Sequence, residues 1–191
     1  MARWAPDTRE RLRAAALALF VERGFEATTV PDIVERAGVT RRTFFRHFGD
    51  KREVFFNGDE IPRLATEMLA AAPADMAPFA VAWNGLQTLA AERFEPRRAE
   101  IVAARRLIEA EPALRERDLQ KQADLRAALT EGYVARGADA AQARILAGVA
   151  VELLQVALEQ WAADPTGIPL ARHLDRVRAG MVAVLRAERA L

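Results

Sequence analysis

The chain has 191 residues, 51% of them hydrophobic, and its 28 Lys and Arg against 27 Asp and Glu leave a formal net charge of +1. A chain of this size and composition buries a sizeable core, which excludes disorder, and its near-neutral charge argues against binding polyanions over the whole surface. It contains no cysteine, so disulfide bonds, thiol catalysis and thiolate metal sites are excluded.

The basic residues are slightly concentrated toward the amino end. Residues 1–56 hold 11 Lys and Arg against 8 Asp and Glu, whereas residues 57–191 hold 17 against 19. The first residues, MARWAPDTRERLR, lack the apolar core of a signal peptide, and no apolar run reaches the ~18 residues that a membrane span needs. We therefore expect a soluble cytoplasmic protein with no membrane partner.

The composition predicts an all-α fold. Alanine and leucine are abundant, tyrosine occurs once, and the alternation of apolar and polar residues typical of strands is absent. The first predicted helix begins at Asp7, where Glu10 completes a capping box. It ends at Gly24, because glycine adopts the left-handed cap conformation at low cost.

Two short helices are predicted next. Thr29 caps the second helix, with Asp32 at the capping-box position, and Gly38 ends it. Thr40 caps the third helix, and Gly49 is expected to end it. Such a density of helix starts and stops favours a compact arrangement of short helices.

The third helix has an apolar side and a basic side. Phe44 and Phe48 are four residues apart and are expected to pack into the core, which leaves the arginines pointing outward. Two short helices joined by a glycine-containing turn, with basic and hydroxyl residues at the front of the second, are typical of a helix-turn-helix unit that docks in the major groove of DNA. A solvated charged face is the alternative interpretation. We predict DNA contacts by Thr29, Thr40, Arg41, Arg42, Thr43, Phe45, Arg46, His47 and Lys51.

Two of these residues carry particular expectations. His47 could contact phosphate or cap the end of its helix. Lys51 stands at the start of a fourth helix predicted from Asp50 and Glu53, where its charge and the free backbone N–H groups could hold one phosphate.

Six longer helices are predicted after Phe56, over residues 61–72, 76–94, 97–110, 112–136, 140–163 and 169–190. We assign residues 1–56 to a three-helix DNA-binding domain and residues 57–191 to a larger helical domain for ligand binding and dimerisation. The last two helices are apolar around most of their circumference, which favours pairing with a second copy across a two-fold axis. The predicted dimer interface contains Leu146, Val149, Leu153, Val156, Trp161, Leu174, Val177, Met181 and Leu185.

The sequence carries no recognisable catalytic motif. G-x-S-x-G, Walker and G-x-G-x-x-G patterns are absent, and the two histidines, His47 and His173, have no acidic cluster at ligand spacing beside them. We therefore predict no enzymatic activity, no cofactor and no metal site. His173 is expected to be a surface or interface residue.

The stretch from residue 9 to residue 55, RERLRAAALALFVERGFEATTVPDIVERAGVTRRTFFRHFGDKREVF, resembles the DNA-binding domain of the TetR family of one-component transcriptional regulators. The resemblance rests on LF before GF, the TT entry, the I-x-x-x-A-G-V turn, TFFRHF and the following lysine. Three features depart from the family pattern. Phe45 stands where a tyrosine is usual, Val34 replaces the more usual alanine, and Gly58 and Pro62 interrupt what is typically one long fourth helix.

The resemblance implies a homodimer with a four-helix interface and an inducer pocket in the middle helices. For that pocket it suggests Phe79, Trp83, Leu86, Gln87, Leu107, Leu129, Tyr133, Glu152 and Gln155, each of which could equally be a plain core residue.

The hypothesis is therefore a dimeric regulator that binds a palindromic operator in double-stranded DNA. It would act as a repressor and be released by a small hydrophobic effector. The alternative is a helical small-molecule binding protein without sequence-specific DNA binding, which the missing Tyr hydroxyl at Phe45 would favour.

Overall fold

The structure is a computed structural model that describes residues 8–56 and 60–188. Within these residues every regular element is a helix, which confirms the all-α prediction. The helices are α1 (Thr8–Arg23), α2 (Val30–Ala37), α3 (Arg41–His47), α4 (Glu60–Ala71), α5 (Pro78–Leu89), α6 (Arg98–Ala110), α7 (Pro112–Ala135), α8 (Ala140–Ala163) and α9 (Leu170–Glu188).

The short helices begin and end close to where their capping residues predict. Gly24 follows α1 with a φ of +85°, and Gly38 follows α2 with a φ of +65°, so both take the left-handed conformation. The predicted cap at Asp7 lies outside the described residues. The prediction for Gly49 is wrong, because α3 already ends at His47, the following Phe48 is extended, and Gly49 has no positive φ.

The fourth helix predicted from Asp50 and Glu53 is only a short turn in the structure. The Oδ1 atom of Asp50 accepts hydrogen bonds from the backbone N–H groups of Arg52 (2.8 Å) and Glu53 (3.2 Å), but the turn it caps is a single 3₁₀ turn, Arg52–Phe55. Pro62 lies in the first turn of α4, where a proline removes no helical hydrogen bond, so it does not interrupt the helix. Gly58 lies outside the described residues.

A change of helical register joins α5 to α6. A π-helical turn (Ala90–Phe94) and a 3₁₀ turn (Glu95–Arg97) follow α5 directly, so the predicted boundary at Pro96 is a change of hydrogen-bond pattern within continuous helical backbone. Pro96 lies in the 3₁₀ turn and lacks the N–H group that an α-helical hydrogen bond needs, whereas the regular α pattern already ends at Leu89.

The chain divides into two compact units. The first comprises Met1–Glu60 and Val102–Gln120, and the second comprises Ile61–Ile101 and Lys121–Leu191. The end of α6 and the start of α7 thus group with the amino-terminal helices, although residues 102–120 were assigned from the sequence to the larger domain.

The first unit is built around phenylalanine rings. Phe20 stacks on Phe55 at 4.9 Å between ring centroids and contacts Phe25 at 5.2 Å. Arg36 of α2 forms a bidentate ion pair with Glu22 of α1, at 2.5 and 2.7 Å, which fixes the two helices side by side. The same core includes Ala104, Ile108 and Leu114 from the second segment of this unit.

In that unit an ion pair also ties the two segments together. Arg117 of α7 donates to the carboxylate of Glu53 in the 3₁₀ turn. The helices that present α3 are therefore held by packing, and by an ion pair between residues 64 positions apart, to a later segment of the chain.

In the second unit, α8 supplies more buried core residues than any other described helix. Its buried residues include Ala147, Val151, Leu154 and Trp161, spaced at three, four and seven residues so that they share one side of the helix. By length and composition, α8 is the one described helix that is apolar enough to cross a membrane, a property that buried helices of soluble proteins share.

The loop between α8 and α9 is held by two polar clusters. The guanidinium of Arg98 donates to the carbonyls of Trp161 (3.1 Å), Asp164 (2.8 Å) and Ile168 (3.0 Å). The Nε2 atom of His173 lies 3.1 Å from a carboxylate oxygen of Asp164. Hydrogen bonds from Thr166, and then the contact with His173, lower the pKa of Asp164 to about 2.

His173 is only 3% exposed, so its predicted place on the surface is wrong. A histidine with a carboxylate partner can be buried without leaving its ring nitrogen unsatisfied, and the sequence does not reveal that partner because it lies in the preceding loop.

Candidate functional site

The amino-terminal unit contains the predicted helix-turn-helix. The side chain of Thr29 accepts from the backbone N–H of Asp32 (3.4 Å), and the Asp32 carboxylate accepts from the backbone N–H of Thr29 (2.7 Å), which completes a capping box at the start of α2. Hydrogen bonds from the Thr29 hydroxyl and backbone lower the pKa of Asp32. After the left-handed Gly38, the Thr40 hydroxyl accepts from the backbone N–H of Thr43 (3.2 Å) and caps α3.

The two sides of α3 are separated as the sequence indicated. Phe44 is fully buried and Phe48 is 3% exposed, and both belong to the aromatic core of the unit. Arg41, Arg42 and Arg46 are consequently exposed. Within the described residues, the side chains of Arg41 and Arg42 make no hydrogen bond or ion pair, so their guanidinium groups are available to an external anion.

Phe45 also lies on the exposed part of α3. Its side chain is 51% exposed, and its ring meets the edge of Phe44 at 5.4 Å and 84°. A phenyl ring cannot donate a hydrogen bond, so this position offers an apolar contact instead of a hydroxyl.

Lys51 occupies a different environment from the one predicted. Its Nζ atom donates to the backbone carbonyls of Phe25 (2.9 Å), Thr28 (3.2 Å) and Glu26 (3.4 Å), and it lies 4.3 Å from the centroid of the Phe25 ring. The ammonium group therefore closes the loop between α1 and α2. Sequence reasoning missed this contact, since the carbonyls that attract the lysine are 23 to 26 residues away.

The other predicted DNA-binding residues have mixed environments. Thr29 is exposed and its hydroxyl serves the cap of α2. Thr43 is half-buried, with its hydroxyl 3.0 Å from that of Thr40. His47 is half-buried at the end of α3, and its Nε2 atom lies 3.4 Å from Nη2 of Arg46. Apart from Thr29 and Lys51, the predicted contacts all lie within Thr40–His47, at the cap and along the turns of α3.

The second unit contains an apolar cavity of about 50 Å³. Its walls come from α4, α5, α7 and α8, and every lining residue is aliphatic, methionine or glycine. The residues that matter for its shape are Met68, Leu69, Gly85, Leu86, Leu129 and Leu154.

Only Leu86 and Leu129 of the predicted ligand residues line this cavity. On α5 the cavity-facing positions include Val81, Gly85 and Leu89, at intervals of four, so Phe79 and Trp83 fall on the flank of the helix. There the two rings stack at 6.4 Å, and Arg178 lies 4.1 Å from the centroid of the Trp83 ring.

The remaining predicted ligand residues also lie elsewhere. Gln87 donates to a carboxylate oxygen of Asp175 at 3.2 Å. The hydroxyl of Tyr133 donates to the Pro78 carbonyl at 3.3 Å, and burial raises the pKa of Tyr133 to about 12. Glu152 is exposed, Gln155 is half-buried outside the cavity wall, and Leu107 packs against the core of the first unit.

The predicted dimer residues divide into three groups. Leu153, Trp161 and Leu174 are 4% exposed or less and belong to the core of this chain, so they cannot form an external face. The half-buried residues of α8 and α9 are Leu146, Val149, Val156, Val177 and Met181. Leu185 is 58% exposed, and the structure adds Val184 (61%) and Ile145 (66%), which the prediction did not include.

The amino-terminal part of the chain is similar in sequence to known regulatory proteins. The sequence profile of the bacterial regulatory proteins of the tetR family matches residues 12–57. The HTH-type transcriptional regulator TcmR of Streptomyces glaucescens is 53% identical over 47 residues, which are 25% of this chain and 21% of that protein. The HTH-type transcriptional repressor BepR of Brucella suis is 43% identical over 51 residues, which are 27% of this chain and 24% of that protein.

These matches span about a fifth to a quarter of the curated relatives' length. The relatives are transcriptional regulators, a non-enzymatic class, in agreement with the absence of catalytic motifs from the sequence.

Solved structures resemble the chain over most of its length. NalD of Pseudomonas aeruginosa, the secondary repressor of the MexAB-OprM multidrug efflux pump, covers 92% of this chain and 94% of its own, with a TM-score of 0.56 and 18% identity. The SmeT–triclosan complex covers 91% and 90%, with a TM-score of 0.54 and 21% identity. At these identities the similarity establishes the fold. The sequence match identifies residues 12–57 as similar to the amino-terminal domain of the tetR family of bacterial regulatory proteins, and the similarity in fold extends over most of the chain.

Proposed function

We propose that the protein is a transcriptional regulator that binds double-stranded DNA through α3. The observation that carries this proposal is the pair of exposed arginines, Arg41 and Arg42, at the front of a helix whose opposite side is buried through Phe44 and Phe48. Arginine can contact guanine through two hydrogen bonds and can also pair with phosphate, so the same surface offers positioning and sequence-reading contacts.

A homodimer would bind a palindromic operator with one α3 in each half-site. The exposed Ile145 of α8, with Val184 and Leu185 of α9, supports pairing of these helices with a second copy, because exposed large apolar side chains are favourably covered in an interface. Two recognition helices related by a two-fold axis read half-sites about one helical turn, or a multiple of it, apart.

A small hydrophobic effector would bind in the second unit and release the DNA. The wholly apolar cavity supports an uncharged ligand. The sign of regulation is proposed from the relatives, since BepR and NalD are both named as repressors. Residues 1–56 would carry DNA binding and residues 57–191 ligand binding and dimerisation, in a cytoplasmic protein.

In vitro selection of random duplex DNA by the purified protein tests this function. We expect enrichment of a palindrome, with binding that weakens steeply as salt rises because phosphate contacts release counterions. Arg42→Ala should weaken binding to that site by about 1–3 kcal/mol, whereas Arg172→Ala, an exposed arginine on α9, should not.

Two outcomes would contradict the proposal. One is the absence of any enriched motif, with or without added metabolites, which would favour a small-molecule binding protein. The other is an Arg42→Ala variant that selects the same DNA with the same affinity and salt dependence as the wild-type protein.

A further inference from the structure

The wall of the cavity in the second unit offers no polar partner to a ligand. All of its lining residues are apolar, and all except Ile61, in the first turn of α4, lie where backbone N–H and C=O groups are paired within a helix. A buried charge or an unpaired hydroxyl or amide would lose its hydration without compensation. The part of a ligand that enters the cavity must therefore be uncharged and hydrocarbon-like.

The cavity is also too small for a typical ligand in the form that the structure describes. Its volume is about 50 Å³, whereas ordinary ligand pockets have volumes of roughly 300–1,000 Å³. A ligand of more than a few heavy atoms can bind only if one wall moves.

Met68 is the wall residue best suited to move. It is the one unbranched long side chain in the wall, and methionine has three rotatable bonds, so it changes shape at low cost. Met68 is half-buried, so part of its side chain already borders on solvent. The leucines and valines around it are branched and more rigid.

The position of Met68 depends on Gly85 of α5, because the absence of a side chain on this glycine leaves space for the methionine. A Cβ atom built on Gly85 would lie 2.2 Å from the terminal methyl carbon of Met68, so this methyl occupies the space above the glycine. The backbone itself does not require glycine there, because Gly85 lies inside α5 and has no positive φ. A glycine in a helix interior makes the helix less stable than an alanine would. At Gly85 the glycine leaves the space that the end of Met68 occupies.

Gly132 also lacks space for a Cβ atom, but for a different reason. A Cβ on Gly132 would lie 2.6 Å from Cδ1 and 3.3 Å from Cβ of Leu69, a residue that is 2% exposed. That contact involves the base of a buried side chain and fixes the approach of two helices, whereas the contact at Gly85 involves only the flexible end of Met68.

We propose that Met68, seated on Gly85, is a displaceable plug that sets the size of an uncharged, hydrocarbon-like ligand in this cavity. The proposal rests on the proposed function in one respect only, the use of the cavity for an effector. Ligand binding displaces the end of Met68 from Gly85 and opens the volume it now fills.

Binding of small probes to the purified full-length chain tests the plug without DNA. The probes are cyclohexane and n-hexane, with hexanoate and hexylammonium as charged molecules of similar size, and the measurements are calorimetric affinity and the shift in melting temperature. Met68→Ala removes the plug and should bind cyclohexane at least roughly tenfold more tightly than the wild-type chain. Gly85→Ala fills the space that the Met68 methyl group now occupies, so the displaced methionine end and the ligand share less room, and binding should weaken by a similar factor.

The double variant provides the decisive comparison. With Met68→Ala in place, Gly85→Ala no longer has a side chain to displace, so the double variant should regain most of the affinity that Gly85→Ala loses. Gly180→Ala is the matched control, because it is also a helix-interior substitution and a Cβ there meets nothing within 4 Å. It should leave probe binding unchanged.

Three results would overturn the proposal. Equal binding of hexanoate or hexylammonium would contradict the ligand class. Wild-type affinity in both Met68→Ala and Gly85→Ala would contradict the plug. Failure of every chain, Met68→Ala included, to bind either hydrocarbon would contradict the site, and this result would leave the selection of operator DNA untouched. If Gly85→Ala does not fold, the comparison of Met68→Ala with the wild-type chain still decides.

Discussion

Lys51 shows how one side chain can serve the fold at a site where the sequence suggests only DNA contact. Its ammonium group donates to three loop carbonyls, and it lies over the ring of Phe25. A charge-assisted bond to several carbonyls orients the loop that leads into α2, and α2 in turn supports α3. A variant at this position is therefore expected to change stability as well as DNA affinity.

Lys51→Met tests this double role. Methionine keeps the length of the side chain but cannot donate, so partly buried carbonyls lose their partner and the free energy of unfolding should fall by about 1–3 kcal/mol. Denaturant unfolding measures this change. Arg46→Met is the matched control, since Arg46 is exposed, and it should alter DNA binding while leaving the unfolding midpoint nearly constant. If the unfolding midpoint of Lys51→Met equals that of the wild-type chain, the hydrogen bonds of Lys51 to the loop carbonyls do not stabilise the fold.

Local capping chemistry is the part of the site that could be predicted residue by residue. Thr29, Asp32 and Thr40 act as caps because their partners lie within three residues, where spacing alone determines the contact. The contacts of His173 and Lys51 were not predicted, because their partners, Asp164 and the carbonyls of the α1–α2 loop, are brought near only by tertiary packing. Single-residue environments of this second kind cannot be read from a sequence.

At the scale of elements, the turn between α2 and α3 determines how the recognition helix is presented. Gly38 has φ and ψ of +65° and +41°, and its backbone N–H closes the end of α2 on Glu35 and Val34. The conformation of this turn, together with core packing, sets the angle between the two helices. A residue with a Cβ atom would be strained there.

Gly38→Ala should lower the free energy of unfolding by about 1–2 kcal/mol, the ordinary cost of a left-handed conformation for a residue with a Cβ atom. Gly49→Ala is the control, because both glycines have open space around a built Cβ but Gly49 has no positive φ. Its stability should change little. Thermal or denaturant unfolding of the two variants provides the comparison, and equal effects would argue against backbone strain as the cause.

Helix existence and ends were predictable to within a few residues, but rotation about the helix axis was not. The sequence period identifies an apolar face on α5, and yet both Phe79 and Gly85 lie on apolar stretches of that helix. Which of them faces the cavity depends on how α5 packs against α4 and α8. The π turn at Ala90–Phe94 was missed for a related reason, since a change of hydrogen-bond register has no side-chain signature of its own.

For the whole molecule, the exposed apolar residues of α8 and α9 favour a dimer. Val184 and Leu185 are 61% and 58% exposed at the end of the last helix, where no described part of this chain covers them. A charge placed among such side chains is costly to desolvate in an interface and harmless on a solvated surface.

Leu185→Glu, combined with Val184→Glu if needed, should shift a dimer toward monomer at micromolar concentration, as measured by analytical ultracentrifugation. Val21→Glu on α1 is the control, because Val21 is 65% exposed but lies in the first unit, and it should leave the association state unchanged. Loss of the dimer should also reduce affinity for a palindromic site, since only one half-site is then engaged at a time. A double variant that remains dimeric would place the interface elsewhere.

The packing of Ala104, Ile108 and Leu114 into the core of the amino-terminal unit limits how this protein can be recombined. A hybrid sensor made by joining residues 1–56 of one regulator to the remainder of another would set foreign aromatic side chains against these three positions. Grafts of this kind would have to carry over a complementary surface around residues 102–120, or redesign it. The unit that can be exchanged is thus a discontinuous one, and a cut at the apparent boundary would divide it.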